Sequence, residues 1–95
     1  MINGNVNDFL ENIRGEDCYI IFMGNKYLIN GCQCNFDDNG NILNSNLEIY
    51  NLTSNTTIFS TTQPSIEQCI IDFKSAPIWN GQQFYDVESS MIWID

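Results

Sequence analysis

The spacing of hydrophobic positions changes along the chain, and each change predicts a different element of secondary structure. Residues 5–14 have apolar side chains three and four positions apart, which predicts a helix with one buried face. Asn5 is placed to cap the start of this helix with its side-chain oxygen. The apolar positions are Val6, Phe9, Leu10 and Ile13.

Four runs in the middle of the chain have the composition of β-strands. Residues 18–23 are apolar at every position, which is typical of a strand covered on both faces. Gly24 and Asn25 predict a type II′ turn, and Asn39 and Gly40 predict a type I′ turn, so neighbouring strands form antiparallel hairpins. The other three runs are residues 26–36, 41–52 and 57–62.

The helical spacing returns in residues 65–76. Ser65 is placed to cap this second helix, and Pro77 is placed to end it. Ile71 lies outside the apolar stripe of the helix, so it either packs under the C-terminal segment or faces a partner. Residues 90–95 predict a final strand. The apolar stripe consists of Ile66, Cys69, Ile70 and Phe73.

The order of elements is therefore α-β-β-β-β-α-β, over a single domain that spans residues 1–95. This order predicts an α+β fold with an antiparallel sheet of four to five strands and with the helices packed on one face. Hydrophobic residues make up 43% of the chain, which is sufficient for a packed core.

Of the four cysteines, Cys32, Cys34 and Cys69 are expected to be small core residues. Without a bulge in the first hairpin, Cys18 lies opposite Gly31, and Cys18 and Cys32 leave opposite faces of the sheet. Cys69 lies on the apolar stripe of the second helix. A disulfide and a metal site remain alternatives, although the only close pair is Cys32 and Cys34 and the chain has no histidine. The same register places Cys32 and Cys34 on one face with Tyr19, Ile21, Met23, Leu28, Phe36, Leu43, Leu47 and Ile49.

Residues 35–46 match the pattern of a calcium-binding loop in part. Asp37 occupies position 3 of the EF-hand pattern, and Gly40 occupies position 6. Asn35 and Asn46 stand at positions 1 and 12, where the pattern requires Asp and a bidentate Glu. Strands rather than helices are predicted on both sides. The stretch is therefore interpreted as the turn of a hairpin, and no ion is expected there.

The chain is strongly acidic, with 12 Asp and Glu residues against three Lys and Arg residues and a net charge of −9. Direct binding of nucleic acid or of an anionic membrane is not expected, because binding phosphate requires clustered basic side chains. No stretch approaches the ~20 apolar residues of a membrane span, and no signal peptide is visible, so a cytoplasmic location is expected. A basic protein is the natural partner for such a charge.

The residues that usually carry catalysis are missing. The chain has no histidine, which removes the commonest general base. It also lacks the motifs of serine hydrolases, phosphate-binding loops and zinc peptidases. Asp86 and Glu88 lie close in sequence, but so short a chain leaves little room for a saccharide cleft beside a core. We therefore expect a protein that is not an enzyme and has no cofactor.

A protein-binding surface is the remaining candidate. Residues 78–88 combine aromatic rings with acids in a turn-rich segment, which is the composition of an interface. Trp79 and Phe84 are expected to close the core, whereas Tyr85 and the acids after it face outward. The candidate partner-binding residues are Asp37, Asp38, Glu48, Glu67, Ile71, Asp72, Tyr85, Asp86 and Glu88.

The sequence thus predicts a small acidic protein-binding domain of the inhibitor or immunity type, which occupies the basic surface of a partner protein. The alternative is a housekeeping domain whose acidity serves only solubility. In that case an open sheet edge could join two copies as a homodimer.

Overall fold

The computed structural model describes residues 1–95 and shows one antiparallel five-stranded sheet with three α-helices. The predicted α+β class and the predicted α-β-β-β-β-α-β order are confirmed, with one additional short helix before the last strand. The elements are α1 (Val6–Asn12), β1 (Cys18–Phe22), β2 (Asn25–Phe36), β3 (Ile42–Asn51), β4 (Thr56–Gln63), α2 (Ile66–Ser75), α3 (Phe84–Val87), a 3-10 turn (Glu88–Ser90) and β5 (Ile92–Ile94).

The strands lie in the order β4-β3-β2-β1-β5. Hairpins connect the first four strands as a meander, and β5 pairs with the free side of β1. All three helices pack on one face of the sheet, because one continuous core joins Phe9 of α1, Phe73 of α2 and Phe84 of α3 to Ile20 and Ile49 of the sheet. We call the opposite face, which has half-buried and exposed side chains, the open face.

Side-chain caps begin the two longer helices, as predicted. Asn5 Oδ1 accepts hydrogen bonds from the backbone N–H groups of Asn7 (2.8 Å) and Asp8 (3.2 Å). Ser65 Oγ accepts a hydrogen bond from the backbone N–H of Gln68 (3.2 Å). These bonds satisfy N–H groups that have no partner inside the helix, which fixes where each helix starts.

Four large aromatic side chains form the centre of the core. The Phe9 ring stacks on the Phe84 ring with their centroids 5.4 Å apart. Phe73 lies 4.9 Å from Phe84 and meets Trp79 edge-on at 6.4 Å. Stacked and edge-to-face pairs are the favoured arrangements of such rings. The prediction that Trp79 and Phe84 close the core is confirmed, since both are at most 1% exposed.

The first hairpin turns one residue earlier than predicted. Its central residues are Met23 and Gly24, whose φ angles are 50° and 77°. Two positive φ angles define a type I′ turn, so the predicted type II′ turn is wrong. Asn25 is instead the first residue of β2, where it pairs with Phe22 and its Nδ2 donates to the Met23 carbonyl at 3.2 Å.

A bulge in β2 changes the faces that were predicted for the first two strands. The Gly31 N–H donates to Asp17 Oδ1 (2.9 Å), and the Cys32 N–H donates to the Ile13 carbonyl (2.8 Å). Neither N–H takes part in the ladder with β3, and the pairing shifts by one residue there. An odd shift moves every later side chain to the other face of the sheet.

The bulge places Cys18 and Cys32 in the same core, so their predicted separation onto opposite faces is wrong. Cys18 lies opposite Ile29, not opposite Gly31. The predicted burial of this strand on both faces is also wrong, because the helices cover one face only and β1 alternates between buried and half-buried side chains. Tyr19, Ile21 and Leu28 lie on the open face, and Met23 lies in the turn, contrary to the predicted register.

The faces predicted for β3 are confirmed near the middle of the sheet. Leu47 and Ile49 lie in the core with Cys32. At the far end of the hairpin, Phe36 and Leu43, which were predicted to share this face, are 61% and 62% exposed. Neither side chain packs against the hydrophobic core.

The second hairpin is confirmed, but its loop is longer than predicted. Residues 37–41 form the loop, in which the Asp37 N–H donates to the Asn41 carbonyl (2.9 Å) and the Gly40 N–H donates to the Asp37 carbonyl (3.0 Å). Gly40 has a φ of 81°, whereas Asn39 has no positive φ. The predicted type I′ turn is therefore wrong, and the loop is a turn followed by a left-handed glycine, which is common in longer hairpin loops.

The segment between α2 and β5 is more regular than its turn-rich composition predicts. Helix α3 begins where the Gln83 N–H donates to Asp86 Oδ2 at 3.2 Å. Phe84 and Val87 then face the core. None of the helices has both the length and the apolar character that crossing a bilayer requires.

Candidate protein-binding surface

The end of the β2–β3 hairpin carries exposed apolar side chains beside acids. Phe36, Ile42 and Leu43 are 61%, 55% and 62% exposed. Phe36 pairs with Ile42 at the base of the loop, so Asp37 and Asp38 lie next to these side chains. We call these five residues the hairpin tip. Apolar side chains grouped at an exposed site with a polar rim are typical of protein-binding surfaces.

Asp37 fixes the shape of the hairpin tip. Its Oδ1 accepts hydrogen bonds from the backbone N–H groups of Asn39 and Asn41, each at 2.9 Å. Aspartate at the start of a turn often bonds the backbone two residues on, which orders the loop before any partner binds. The neighbouring Asp38 is exposed. Asp37 is exposed as well, so both acids of the tip face solvent.

The open face has an apolar half. Tyr19 pairs with Leu28 on one side and with Ile94 on the other, and Leu28 pairs with Tyr50. The Lys26 ammonium lies 4.6 Å from the centroid of the Tyr19 ring, which is a cation–π contact. The apolar half consists of Tyr19, Ile21, Leu28, Tyr50, Ile92 and Ile94.

The other half of the open face is polar and contains Glu48. Asn35 Nδ2 donates to Asn44 Oδ1 at 2.7 Å across the hairpin. Glu48 is half-buried and pairs with Asn30 on β2 and with Ser60 on β4. Glu48 takes part in none of the ion pairs of the chain.

The two edges of the sheet differ in how they are covered. At β5, Asn3 imitates a neighbouring strand, because its Nδ2 donates to the Trp93 carbonyl (2.7 Å) and its Oδ1 accepts from the Trp93 N–H (2.9 Å). The Ile2 N–H also donates to the Met91 carbonyl at 2.9 Å. At the other edge, backbone hydrogen bonds join β4 to β3 alone.

The predicted acids of α2 are engaged inside the molecule. Glu67 forms an ion pair with Arg14. Their hydrogen bond lowers the pKa of Glu67 and raises that of Arg14. Asp72 Oδ2 accepts hydrogen bonds from Thr61 Oγ1 and Gln63 Nε2, each at 2.6 Å. These acids hold α2 against neighbouring elements.

The remaining predicted residues lie on and around the last helices. Asp86 is exposed and caps α3, and Glu88 pairs with the N-terminal amino group of Met1. Tyr85 is 55% exposed and Ile71 is 51% exposed, so Ile71 does not pack under the C-terminal segment. The predicted residues therefore do not form one surface, since the hairpin tip, the open face and the helices each hold some of them.

Sequence reasoning missed the apolar part of the hairpin tip and the apolar half of the open face. A signal for the tip was present, because Phe36, Ile42 and Leu43 immediately flank the turn. Side chains at the end of a long hairpin have no helix to cover them. The apolar half of the open face depended on the bulge in β2, which the local sequence does not reveal.

The four cysteines are free thiols. Burial raises the pKa of Cys18 to about 12 and that of Cys32 to about 11, and it also raises the pKa of Cys69. These thiols are therefore protonated and unreactive at neutral pH. The predicted core role is confirmed for Cys32 and Cys69, and Cys18 lies in the core as well. Cys34 was predicted to be a core residue but is half-buried, with its Sγ 3.4 Å from Ser45 Oγ. No group of three or more Cys, Asp or Glu side chains has the geometry of a metal site.

One shallow groove of about 530 Å³ lies beside α1. Acids and Arg14 form its walls, and Trp93 is its only hydrophobic residue. Sites for small organic ligands are mostly apolar and enclosed, so this groove lacks their character.

Comparison with protein-family models, with curated proteins and with solved structures found no match for this chain. The candidate surfaces are therefore interpreted from their own geometry and charge.

Proposed function

We propose that this protein is a small acidic protein-binding domain without enzymatic activity. It acts by occupying the basic surface of a partner, as an inhibitor or immunity-type protein does. The hairpin tip carries the proposal, since it presents three apolar side chains that are more than half exposed, next to two acids. Burying such side chains against a partner is favourable by about 25 cal/mol per Å² of apolar surface.

The distribution of charge supports a basic partner. The chain has a net charge of −9 and only three basic side chains. Arg14 is paired with Glu67, and Lys26 lies on the ring of Tyr19. An acidic surface speeds the approach of a basic protein, whereas apolar anchors supply most of the affinity once the two proteins meet.

The state of the thiols supports action in the cytoplasm. All four cysteines are free, and three of them lie in the core. Free thiols persist in a reducing compartment, whereas oxidising compartments favour disulfides.

The proposal is tested by affinity capture at low and high salt. We expect the immobilised protein to retain a basic protein at about 50 mM salt and to release it at about 500 mM, where charges are screened. With the purified partner, the double variant Phe36→Ser and Leu43→Ser should bind at least about 30-fold more weakly, because it removes two anchors.

The matched control is Met23→Asn, which removes an exposed apolar side chain outside the hairpin tip, in the β1–β2 turn. Asparagine tolerates the positive φ of this position, so the control keeps the fold. Equal binding by the tip variant and the control, or binding that does not change with salt, would contradict the proposal.

A further inference from the structure

The outer edge of β4 is open, although the molecule closes its other sheet edge with Asn3. Natural proteins usually protect edge strands with charged side chains or proline, because unpaired N–H and C=O groups attract other strands. Thr56–Gln63 contains no charged residue and no proline. The same chain thus covers the short edge and leaves the long one unprotected.

A regular stretch of this edge is available for pairing. Ile58 has no partner on β3, because the register shifts between Phe59 and Thr57, and this bulge distorts the start of the strand. Residues 59–63 follow in unbroken antiparallel register with β3. In an antiparallel ladder, every second residue turns its N–H and C=O away from its neighbour, so this stretch offers hydrogen bonds to one more strand.

We propose that residues 59–63 bind an extended basic segment of the partner protein, which adds to the sheet as a strand beside β4. The inference rests on the proposed function and names the place and the chemistry of binding. Backbone hydrogen bonds supply affinity in such strand addition, while alternate side chains of the added strand supply specificity.

Glu48 gives the added strand its preference for a basic side chain. Glu48 pairs with Ser60, which is exposed and small, and both project from the open face. A residue of the added strand opposite Ser60 lies two strand spacings, about 10 Å, from Glu48. A lysine or arginine at that place reaches over Ser60 to the Glu48 carboxylate. Glu48 is half-buried and has no ion-pair partner in the chain, so the contact replaces no existing ion pair.

A partner segment fits the edge better than a second copy of this chain. Two copies would each bring a charge of −9, and like charges oppose association. β4 itself offers no basic side chain for Glu48 of the other copy. Pairing along residues 59–63 alone also buries less than the roughly 1,200 Å² of a stable interface. A basic segment of a partner is attracted by the negative charge and supplies the side chain for Glu48. If the partner also contacts the hairpin tip, the total buried area is larger.

The test uses the peptide acetyl-Thr-Lys-Val-Lys-Val-Lys-Thr-amide and the full-length protein, observed by NMR. We expect the peptide, at up to about 1 mM, to shift the backbone amides of residues 59–63 and to slow exchange of the outward N–H groups about tenfold. Ser60→Lys should abolish these shifts, because the new lysine pairs with Glu48 and blocks the edge with a charge.

The role of Glu48 is tested with Glu48→Gln and a second peptide in which glutamine replaces each lysine. Glu48→Gln should weaken binding of the lysine peptide about fivefold and leave binding of the glutamine peptide unchanged. Glu16→Gln is the matched control, since it removes the same charge from an exposed position before β1. It should leave the affinity of the lysine peptide within about twofold.

The inference is overturned if the lysine peptide produces no shifts at about 1 mM, or if Ser60→Lys binds it as well as the wild type. A dimer that Ser60→Lys separates would show that a second copy occupies the edge, which also overturns it. If the wild-type protein does not bind the lysine peptide but still captures a partner through the hairpin tip, the added strand is refuted and the proposed function stands. Peptide binding without tip-dependent capture would refute the role of the hairpin tip in the proposed function and leave the β4 edge as a site for a basic strand.

Discussion

Gly31 lies where the segment after α1 crosses over β2. A Cβ built at this position would be 2.2 Å from the Glu16 carbonyl oxygen, so no other residue fits without movement of the backbone. The close crossing lets the Gly31 N–H reach Asp17 Oδ1 and the Cys32 N–H reach the Ile13 carbonyl. One small residue thereby causes the bulge that decides which side chains of β1 and β2 enter the core.

Gly31→Ala should therefore lower the free energy of unfolding by about 2–3 kcal/mol, because the new methyl group overlaps backbone atoms that cannot rotate away. Urea denaturation followed by tryptophan fluorescence measures the change. Gly15→Ala is the control, since a Cβ at Gly15 meets no atom within 4 Å and its φ is not positive. Similar stability of the two variants would show that β2 accommodates the methyl group and that the crossing does not fix the bulge.

At the scale of elements, the local sequence was sufficient to predict an element that depends only on its own residues. Asn5 and Ser65 cap the helices at the predicted positions, and the apolar stripe of α2 lies in the core. The predicted strand registers were wrong where distant residues decide them, because the bulge in β2 arises from contacts with Ile13 and Asp17 in the segment after α1. Helix α3 was not predicted for a related reason. Its four residues gain stability from core packing of Phe84 and Val87 rather than from helix propensity.

The candidate surface also has features that the local sequence predicts and features that depend on distant parts of the fold. Asp37, Asp38 and Glu48 could be chosen from charge alone, and they lie in the hairpin tip and on the open face. The exposed apolar side chains were missed, because exposure depends on where the helices end relative to the hairpin. The sequence allowed for an open sheet edge but did not show that this edge is β4, because that depends on the strand order and on Asn3 covering β5 instead.

The cover at β5 can be tested with Asn3→Ala. The variant loses both hydrogen bonds to the Trp93 backbone, so we expect its free energy of unfolding to be about 1–2 kcal/mol lower than that of the wild type. Hydrogen exchange of the Trp93 N–H should accelerate as well, because this N–H loses its acceptor. Asn41→Ala is the control, since Asn41 is an exposed asparagine of the hairpin loop. Unchanged exchange at Trp93 would show that Asn3 does not protect the edge.

At the scale of the whole molecule, the net charge of −9 and the open surfaces have opposite effects on self-association. The hairpin tip and the β4 edge both favour contact with another chain, whereas the repulsion between acidic copies opposes it. Under the proposed function, acidity would therefore do more than provide solubility, because it would keep the hairpin tip and the β4 edge available for a partner of opposite charge.

This balance predicts how association depends on pH. At pH 7 we expect light scattering to give the monomer mass of 10.9 kDa. Near the isoelectric point of about 4.1 the net charge vanishes, and the protein should form larger species. The triple variant Phe36→Ser, Leu43→Ser and Ser60→Lys should associate less than the wild type, because it lacks both surfaces. Each protein is measured at a pH equally far from its own isoelectric point. Met23→Asn should behave as the wild type does. A stable dimer at pH 7 would instead support the homodimer alternative, in which the β4 edge is already occupied and acidity has no part in partner choice.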